Sequence, residues 1–315
     1  QFKAAYGKST FTLNGYLSNV INYALKENEP LKGNFKCTSA YLLVDEFMAY
    51  AGDTATAADT TATGVVLVPA NLSLVFNADV NKLAYNGLEL EDFIGEMAID
   101  SGKIKLKQAG FNIIGAPVIM DAEYGSLSPV KAYFNYHINA KEFDIKRAYN
   151  EIKLFRDLAT SAAGAEGIVS LDYTLGGKLG ADMHPLYPSL KGAGVLSVKK
   201  VKMNGFKLFS AVGKETGKDS ISNPDLSEVN IKTTIANNII TLERTKMKVA
   251  GFRPRFEGQV SFDGKLNLSG RLGLPPFGII GIPFSVTGTQ DKPVVKLRKQ
   301  KDSDKIEETT EEADQ

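Results

Sequence analysis

The chain has 315 residues, 43% of them hydrophobic, and its 37 basic and 36 acidic side chains give a net charge of +1 at pH 7. This length is enough for one large or two smaller β domains, and the balanced charge indicates no charge-driven partner such as nucleic acid. The single cysteine, Cys37, excludes an internal disulfide, and we expect it to be a buried structural thiol.

The first 64 residues predict short strands followed by a loop. Phe11 and Leu13 alternate with polar residues, and residues 31–37 have the same pattern. Residues 16–25 fit a strand or a helix equally well. Residues 51–64 are small, polar and low in complexity, which predicts a mobile loop.

Alternation of apolar and polar residues resumes at Asn71 and continues to residue 138, which predicts strands with one apolar and one polar face. A helix is then predicted over residues 144–159, because apolar residues recur there at helical spacing and Asp144 can cap the first turn. Residues 161–167 are predicted to link this helix to a second run of strands.

Residues 252–274 have the clearest pattern in the chain. Every even position is apolar, Gly or Pro, and nearly every odd position is polar, which predicts an antiparallel hairpin with one apolar face. A three-residue loop over 262–264 would place Val260 opposite Leu266 and keep both faces uniform. The same loop would put Gly264 where the chain needs a left-handed residue.

This hairpin has an earlier counterpart. At a constant separation of 136 residues, Phe93 matches Val229, Ile104 matches Ile240 and Met120 matches Phe256, among others. The sequence Leu-Lys-Gly also occurs twice, 159 residues apart. We therefore predict a first β repeat unit (1–142), an amphipathic helix and linker (143–167), a second β repeat unit (168–297) and a disordered charged tail (298–315).

No pattern of catalytic or metal-binding residues stands out. His137 lies on the polar side of a predicted strand, and His184 lies in a proline-rich loop. We expect both to be ordinary surface residues. Metal-ligand clusters, phosphate-binding loops and nucleophile elbows are missing from the sequence. We therefore expect no enzyme, no cofactor and no metal site.

Two interpretations of the apolar faces stay open. They form the core of a sandwich or barrel, or they line a groove on an open, curved sheet, where Gly258, Gly264 and Gly270 give curvature and space. A lipid chain of ~15 methylenes gains up to ~12 kcal/mol in such a groove before losses, at ~0.8 kcal/mol per methylene. The groove candidates are Phe252, Phe256, Val260, Leu266, Leu268, Leu272 and Leu274, with Met120, Tyr124, Val130, Phe134, Tyr136 and Ile138 as first-copy equivalents.

The second half of the chain resembles the C-terminal region of the AsmA-like family, which includes TamB-related envelope proteins. The resemblance covers residues 167–297 well and extends over residues 71–159. It is carried by the order of the segments GIVSLDYTLGGKL, PSLKGAGVLSVKKVKMNGFKLF, SEVNIKTTIANNIITLE, FEGQVSFDGKLNLSGRLGLP and PFSVTGTQDKPVVKL.

The resemblance implies a periplasmic protein of a Gram-negative bacterium, tethered to the inner membrane, that carries phospholipid toward the outer membrane through a β groove. Its partners would be acyl-chain ligands, the inner and outer membranes and other envelope proteins. The chain lacks the family's N-terminal anchor, which we expect in a longer parent protein, and it is too short to cross the periplasm alone.

The expected fold is therefore mainly β, with two repeated antiparallel units that form a curved, groove-like sheet and an amphipathic helix between them. The expected function is non-enzymatic lipid binding or transfer in outer-membrane biogenesis. The alternative is an assembly factor that binds outer-membrane proteins by adding a strand to an exposed sheet edge.

Overall fold

The structure is a computed structural model, and it describes residues 1–47, 65–85 and 87–298, except for the side chains of residues 160, 161 and 227. The strands of the first half are β1 (Phe2–Tyr6), β2 (Ser9–Leu17), β3 (Leu31–Leu43), β4 (Leu72–Tyr85), β5 (Leu88–Asp100), β6 (Lys103–Ile113), β7 (Ala116–Ser128) and β8 (Lys131–Asp144). Those of the second half are β9 (Ala165–Leu179), β10 (Lys191–Met203), β11 (Asp225–Ala236), β12 (Ile239–Lys246), β13 (Arg253–Ser261), β14 (Leu266–Gly273), β15 (Gly281–Gly288) and β16 (Pro293–Leu297). The helices that lie wholly within the described ranges are α1 (Val20–Leu25), α2 (Ile145–Glu151), α3 (Lys153–Leu158) and α4 (Lys207–Thr216).

The strands form one sheet in which the spatial order follows the chain order from β1 to β16. Adjacent strands from β4 to β8 and from β11 to β16 are antiparallel. The pair β3 and β4 is parallel. The prediction of a mainly-β fold built largely from antiparallel strands is therefore confirmed.

Contacts between residues divide the chain into two compact units. Unit 1 comprises Gln1–Lys141 and Asp172–Gly192, and unit 2 comprises Glu142–Leu171 and Ala193–Gln315. These units are defined by packing, whereas the predicted repeat boundaries concern sequence similarity and stay a prediction.

The turns of the repeat recur at the predicted separation of 136 residues. Ser101 and Gly102 form a left-handed two-residue turn between β5 and β6, and Asn237 and Asn238 form the same turn between β11 and β12. Left-handed conformations at both central residues match the right-handed twist of the flanking strands. The hairpin pattern is therefore repeated in the backbone as well as in the sequence.

The hairpin of β13 and β14 has the predicted three-residue loop. Val260 pairs with Leu266, and the backbone N–H of Ser261 donates to the carbonyl oxygen of Lys265 at 3.0 Å. Gly264 has a φ of +83°. The choice of loop from the parity of apolar positions is confirmed.

The helix predicted over residues 144–159 is broken, and the prediction of one continuous helix is wrong. Asp144 caps α2 as expected, because its side chain accepts from the N–H of Arg147. Ile152 is extended and separates α2 from α3. The guanidinium of Arg156 donates to the carbonyl oxygens of Tyr149 and Asn150, so the last turn of α2 is satisfied without a continuing helix.

The ambiguous segment 16–25 contains both elements, since β2 ends at Leu17 and α1 follows. The predicted mobile loop at 51–64 lies outside the described residues, as does the predicted tail except for Arg298. Among the helices of the described ranges, none has the length and apolar character needed to span a membrane.

Candidate functional site

Unit 1 has a continuous apolar surface on one side of its sheet. The strand registers align Phe35 with Phe76, Phe76 with Met97 and Met97 with Leu106. On the next two strands the row continues through Ala122 and Tyr136. We call the half-buried residues of this row and of the neighbouring row the apolar band: Phe35, Cys37, Phe76, Ala78, Met97, Leu106, Met120, Ala122, Tyr136 and Ile138.

Side chains pack against each other along the band. The rings of Phe35 and Phe76 are stacked with centroids 5.4 Å apart, and those of Phe134 and Tyr136 are stacked at 5.9 Å. Because the band crosses six strands at a spacing of ~4.8 Å, it is ~24 Å long. Burial raises the pKa of Tyr136 to about 12. The band is therefore a continuous apolar strip rather than a set of scattered side chains.

A small core lies on β7 and β8 beside the band. Val65, Ala132 and Leu179 are buried together, and Tyr124, Phe134 and Met183 pack against them. The hydroxyl of Tyr124 donates to the carbonyl oxygen of Val66 at 2.9 Å. Burial raises the pKa of Tyr124 to about 12. This core therefore holds the segment around Val65 against β7 and β8.

The opposite face of the same strands is charged. The ammonium groups of Lys103 and Lys105 lie 3.4 and 3.8 Å from the carboxylate of Glu123. The hydroxyl of Tyr133 donates to the same carboxylate at 2.8 Å, and this bond, with the two lysines, holds the pKa of Glu123 below its ordinary value. The sheet of unit 1 thus has one face with ion pairs and one face that carries the apolar band.

In unit 2 the corresponding apolar face is covered by the protein's own helix. Phe209 of α4 packs edge-on against Phe256 of β13, and Phe256 packs against Phe284 of β15, each with centroids 5.5 Å apart. Burial is complete or nearly so for four predicted groove residues: Phe256, Leu266, Leu268 and Leu272. These four are core residues of unit 2.

The glycines of the hairpin provide space for packing inside unit 2. A side chain at Gly270 would meet the ring of Phe284 at 2.4 Å, so the space above Gly270 is filled by that ring. Gly264 lies in the turn. The expected room above the sheet at Gly270 is therefore taken by protein, and the binding-face hypothesis rests on unit 1.

The remaining predicted residues have mixed environments. Phe252, Val260 and Leu274 are half-buried in unit 2. In unit 1, Met120, Tyr136 and Ile138 belong to the apolar band, Tyr124 and Phe134 border it, and Val130 is exposed in the turn between β7 and β8.

Helix α4, which covers this face in unit 2, was not predicted from the sequence. Its buried residues Phe209, Val212 and Gly213 recur at helical spacing, and the left-handed Gly217 ends the helix. That spacing was the available signal.

His137 and Asp172 form an exposed pair on the surface of unit 1. His137 lies 2.7 Å from a carboxylate oxygen of Asp172, and Asn139 donates to the other oxygen at 3.0 Å. These bonds hold the pKa of Asp172 below its ordinary value. Within the described ranges, no three His, Cys, Asp or Glu side chains are grouped as a metal site would require.

Comparisons of the chain with protein-family models, with curated proteins and with solved structures find no match in any of the three. The resemblance to the AsmA-like family stays a prediction.

Proposed function

We propose that this protein is a non-enzymatic lipid-binding protein that carries phospholipid in the bacterial envelope, with the apolar band of unit 1 as the site for acyl chains. The observation that carries the proposal is the continuous row of half-buried apolar side chains that runs from Phe35 to Tyr136 on one face of the sheet. The other face of the same strands is ion-paired and solvated.

The chemistry of the band suits an acyl chain. Apolar burial is non-directional and proportional to the area removed from water, so a flexible hydrocarbon needs no convergent polar groups for retention. The band consists of aromatic, aliphatic, Met, Ala and Cys side chains. Such a lining favours a class of apolar ligands rather than one exact molecule.

The size of the band is also suitable. Its length of ~24 Å across six strands exceeds the ~15 Å that one leaflet contributes to the hydrocarbon core of a bilayer. A phospholipid chain fits along the band without leaving the apolar surface.

Native mass spectrometry of the protein purified from a Gram-negative host, followed by organic extraction, tests the proposal. We expect co-purified phospholipid in the wild-type chain and its loss in Phe76→Gln/Leu106→Gln, with the thermal unfolding transition retained. The matched control is Val75→Gln, because Val75 is the half-buried neighbour of Phe76 on the opposite face. Lipid-free wild-type protein, or equal lipid in all three proteins, would contradict the proposal.

The assembly-factor alternative requires a sheet edge that can accept a partner strand. The terminal strands of the sheet, β1 and β16, are five residues long, and short edge strands limit strand addition. A peptide-binding measurement with unfolded outer-membrane protein segments separates the two functions, because the band variants would leave peptide binding unchanged.

A further inference from the structure

Unit 2 exposes a compact apolar loop between β14 and β15. The side chains of Phe277, Ile279 and Ile280 are 63%, 45% and 72% exposed. They lie within four residues of each other on one connection. Three large apolar side chains presented together to solvent mark an interaction surface more often than scattered single residues do.

The loop is held firmly in this arrangement. The buried guanidinium of Arg271 donates from Nη1 to the carbonyl oxygen of Gly278 at 2.9 Å and from Nη2 to that of Ile279 at 2.7 Å. The N–H of Gly278 donates to the carbonyl oxygen of Leu274 at 2.8 Å, and the N–H of Leu274 to that of Ile280 at 2.7 Å. The exposure of the three side chains is therefore a property of an ordered loop.

The surroundings of the loop are basic. The two segments that meet at this edge, residues 245–256 and 270–288, contain five basic and no acidic residues. Arg253 pairs with Gly273 at the base of the loop, and its side-chain carbons pack against Gly278. Lys248 is exposed beside the turn between β12 and β13, and Pro275 of the loop packs near Gly251 of that turn.

We propose that this loop docks unit 2 onto an anionic lipid bilayer. Phe277, Ile279 and Ile280 enter the boundary between headgroups and acyl chains, and Lys248 and Arg253 contact the phosphates around them. Apolar anchors ringed by long cationic side chains bind anionic membranes through both burial and charge. Protein interfaces are enriched in aromatic residues and arginine but depleted in lysine, so Lys248 beside the loop favours the lipid surface.

Vesicle flotation of the full chain tests this proposal, with vesicles of phosphatidylglycerol mixed with phosphatidylcholine and vesicles of phosphatidylcholine alone. We expect wild-type protein to float with the anionic vesicles and Phe277→Ser/Ile280→Ser to lose at least ~10-fold in affinity. Lys248→Ala should lose about fivefold, and added salt should reduce that difference. The control is Ile94→Ser/Leu127→Ser, since these side chains are 62% and 57% exposed in unit 1.

Flotation that is equal for wild type and the loop variant, or equal on neutral and anionic vesicles, would overturn the proposal. Self-association through the loop without vesicle binding would overturn it as well and assign the loop to a protein contact. Failure here is distinguishable from failure of lipid carriage, because co-purified lipid is measured on the same proteins and depends on the apolar band of unit 1.

Discussion

Asp92 and Glu228, which lie 136 residues apart, have the same left-handed backbone conformation, with φ of 53° and 55°. The strand registers shift between Leu106 and Ala109 in β6, and between Leu242 and Thr245 in β12, which is the same interval 136 residues later. Bulges bend a strand and redirect its side chains. The repeat has therefore kept its irregularities, even where the side chains at those positions differ.

The turn at Ala250 and Gly251 tests whether a left-handed backbone limits the choice of residue there. Both residues are left-handed, with φ of 48° and 83°, and the flanking Val249 and Phe252 exchange backbone hydrogen bonds. Alanine disfavours this conformation by ~1 kcal/mol, and Asn-Gly is the preferred pair in such a turn. We expect Ala250→Asn to raise the free energy of unfolding by about 1 kcal/mol in urea denaturation with an unchanged m-value.

The control for this turn variant is Ala236→Asn. Ala236 is exposed at the end of β11 without a left-handed backbone, and asparagine is unfavourable in strands. Stabilisation by both substitutions would show that the left-handed turn is not the cause.

Removal of the Arg271 guanidinium should loosen the loop between β14 and β15. Arg271→Met leaves the carbonyl oxygens of Gly278 and Ile279 without these donors, and we expect a loss of about 2–3 kcal/mol in unfolding free energy. Chymotrypsin should then cleave after Phe277 faster. Arg255→Met is the control, because Arg255 is half-buried and paired with Arg271 on the neighbouring strand; equal cleavage in both variants would contradict the role of Arg271.

The two apolar faces should differ in their contribution to stability. Leu272 in unit 2 is fully buried, and Leu272→Ala should cost about 2–5 kcal/mol. Phe76 in the apolar band is half-buried, and Phe76→Ala in delipidated protein should cost only about 1–2 kcal/mol. Denaturant midpoints measure both effects. A cost for Phe76→Ala as large as that for Leu272→Ala would show that the band is an ordinary core.

Asp263, in the turn between β13 and β14, should make the stability of the folded protein depend on pH. Hydrogen bonds from Lys265 and Ser261 lower the pKa of Asp263 from its ordinary value of 3.8 to about 2. A carboxyl whose pKa falls on folding stabilises the folded state above its unfolded pKa, and the contribution is lost as the pH falls through the folded pKa. The difference in melting temperature between wild type and Asp263→Asn should be constant near neutral pH and shrink between pH 3.8 and about 2. A constant difference down to pH 2 would contradict the assignment.

Cys37 is a native reporter of the apolar band, because it is the single cysteine and is half-buried there. Burial raises the pKa of its thiol, so alkylation by N-ethylmaleimide should be slow at neutral pH and keep accelerating above the ordinary pKa of a thiol. We expect delipidation to increase the alkylation rate and added phospholipid to reverse the increase, as measured by intact-protein mass spectrometry. An alkylation rate that does not change with added lipid would show that the ligand binds away from Cys37.

The alternation of apolar and polar residues predicted the strands well, because the two sides of a strand face different environments. The parity of residues 252–274 was sufficient to place the loop at Gly264, and the offset of 136 residues located the second copy of the hairpins. Each of these features is set within a single hairpin, by residues that are close to each other in sequence.

Features that depend on distant residues were not predictable in this way. Phe256 is covered by Phe209 of α4, which lies 47 residues earlier in the chain. The alternation of apolar and polar residues in a strand does not predict which element covers its apolar face. The break at Ile152 is compensated by Arg156, which the helical pattern alone does not reveal. The parallel pair of β3 and β4 likewise depends on where the intervening chain returns.

The identity of spatial and chain order in the sheet has a consequence for how the protein folds. Each strand from β2 onward hydrogen-bonds to the strand made immediately before it, so most strand pairings join segments that are neighbours in sequence. In repeat-like arrays of this kind, structure can start at one hairpin and propagate to the next. We expect the sheet to assemble progressively from one hairpin to the next, without waiting for its C-terminal strands.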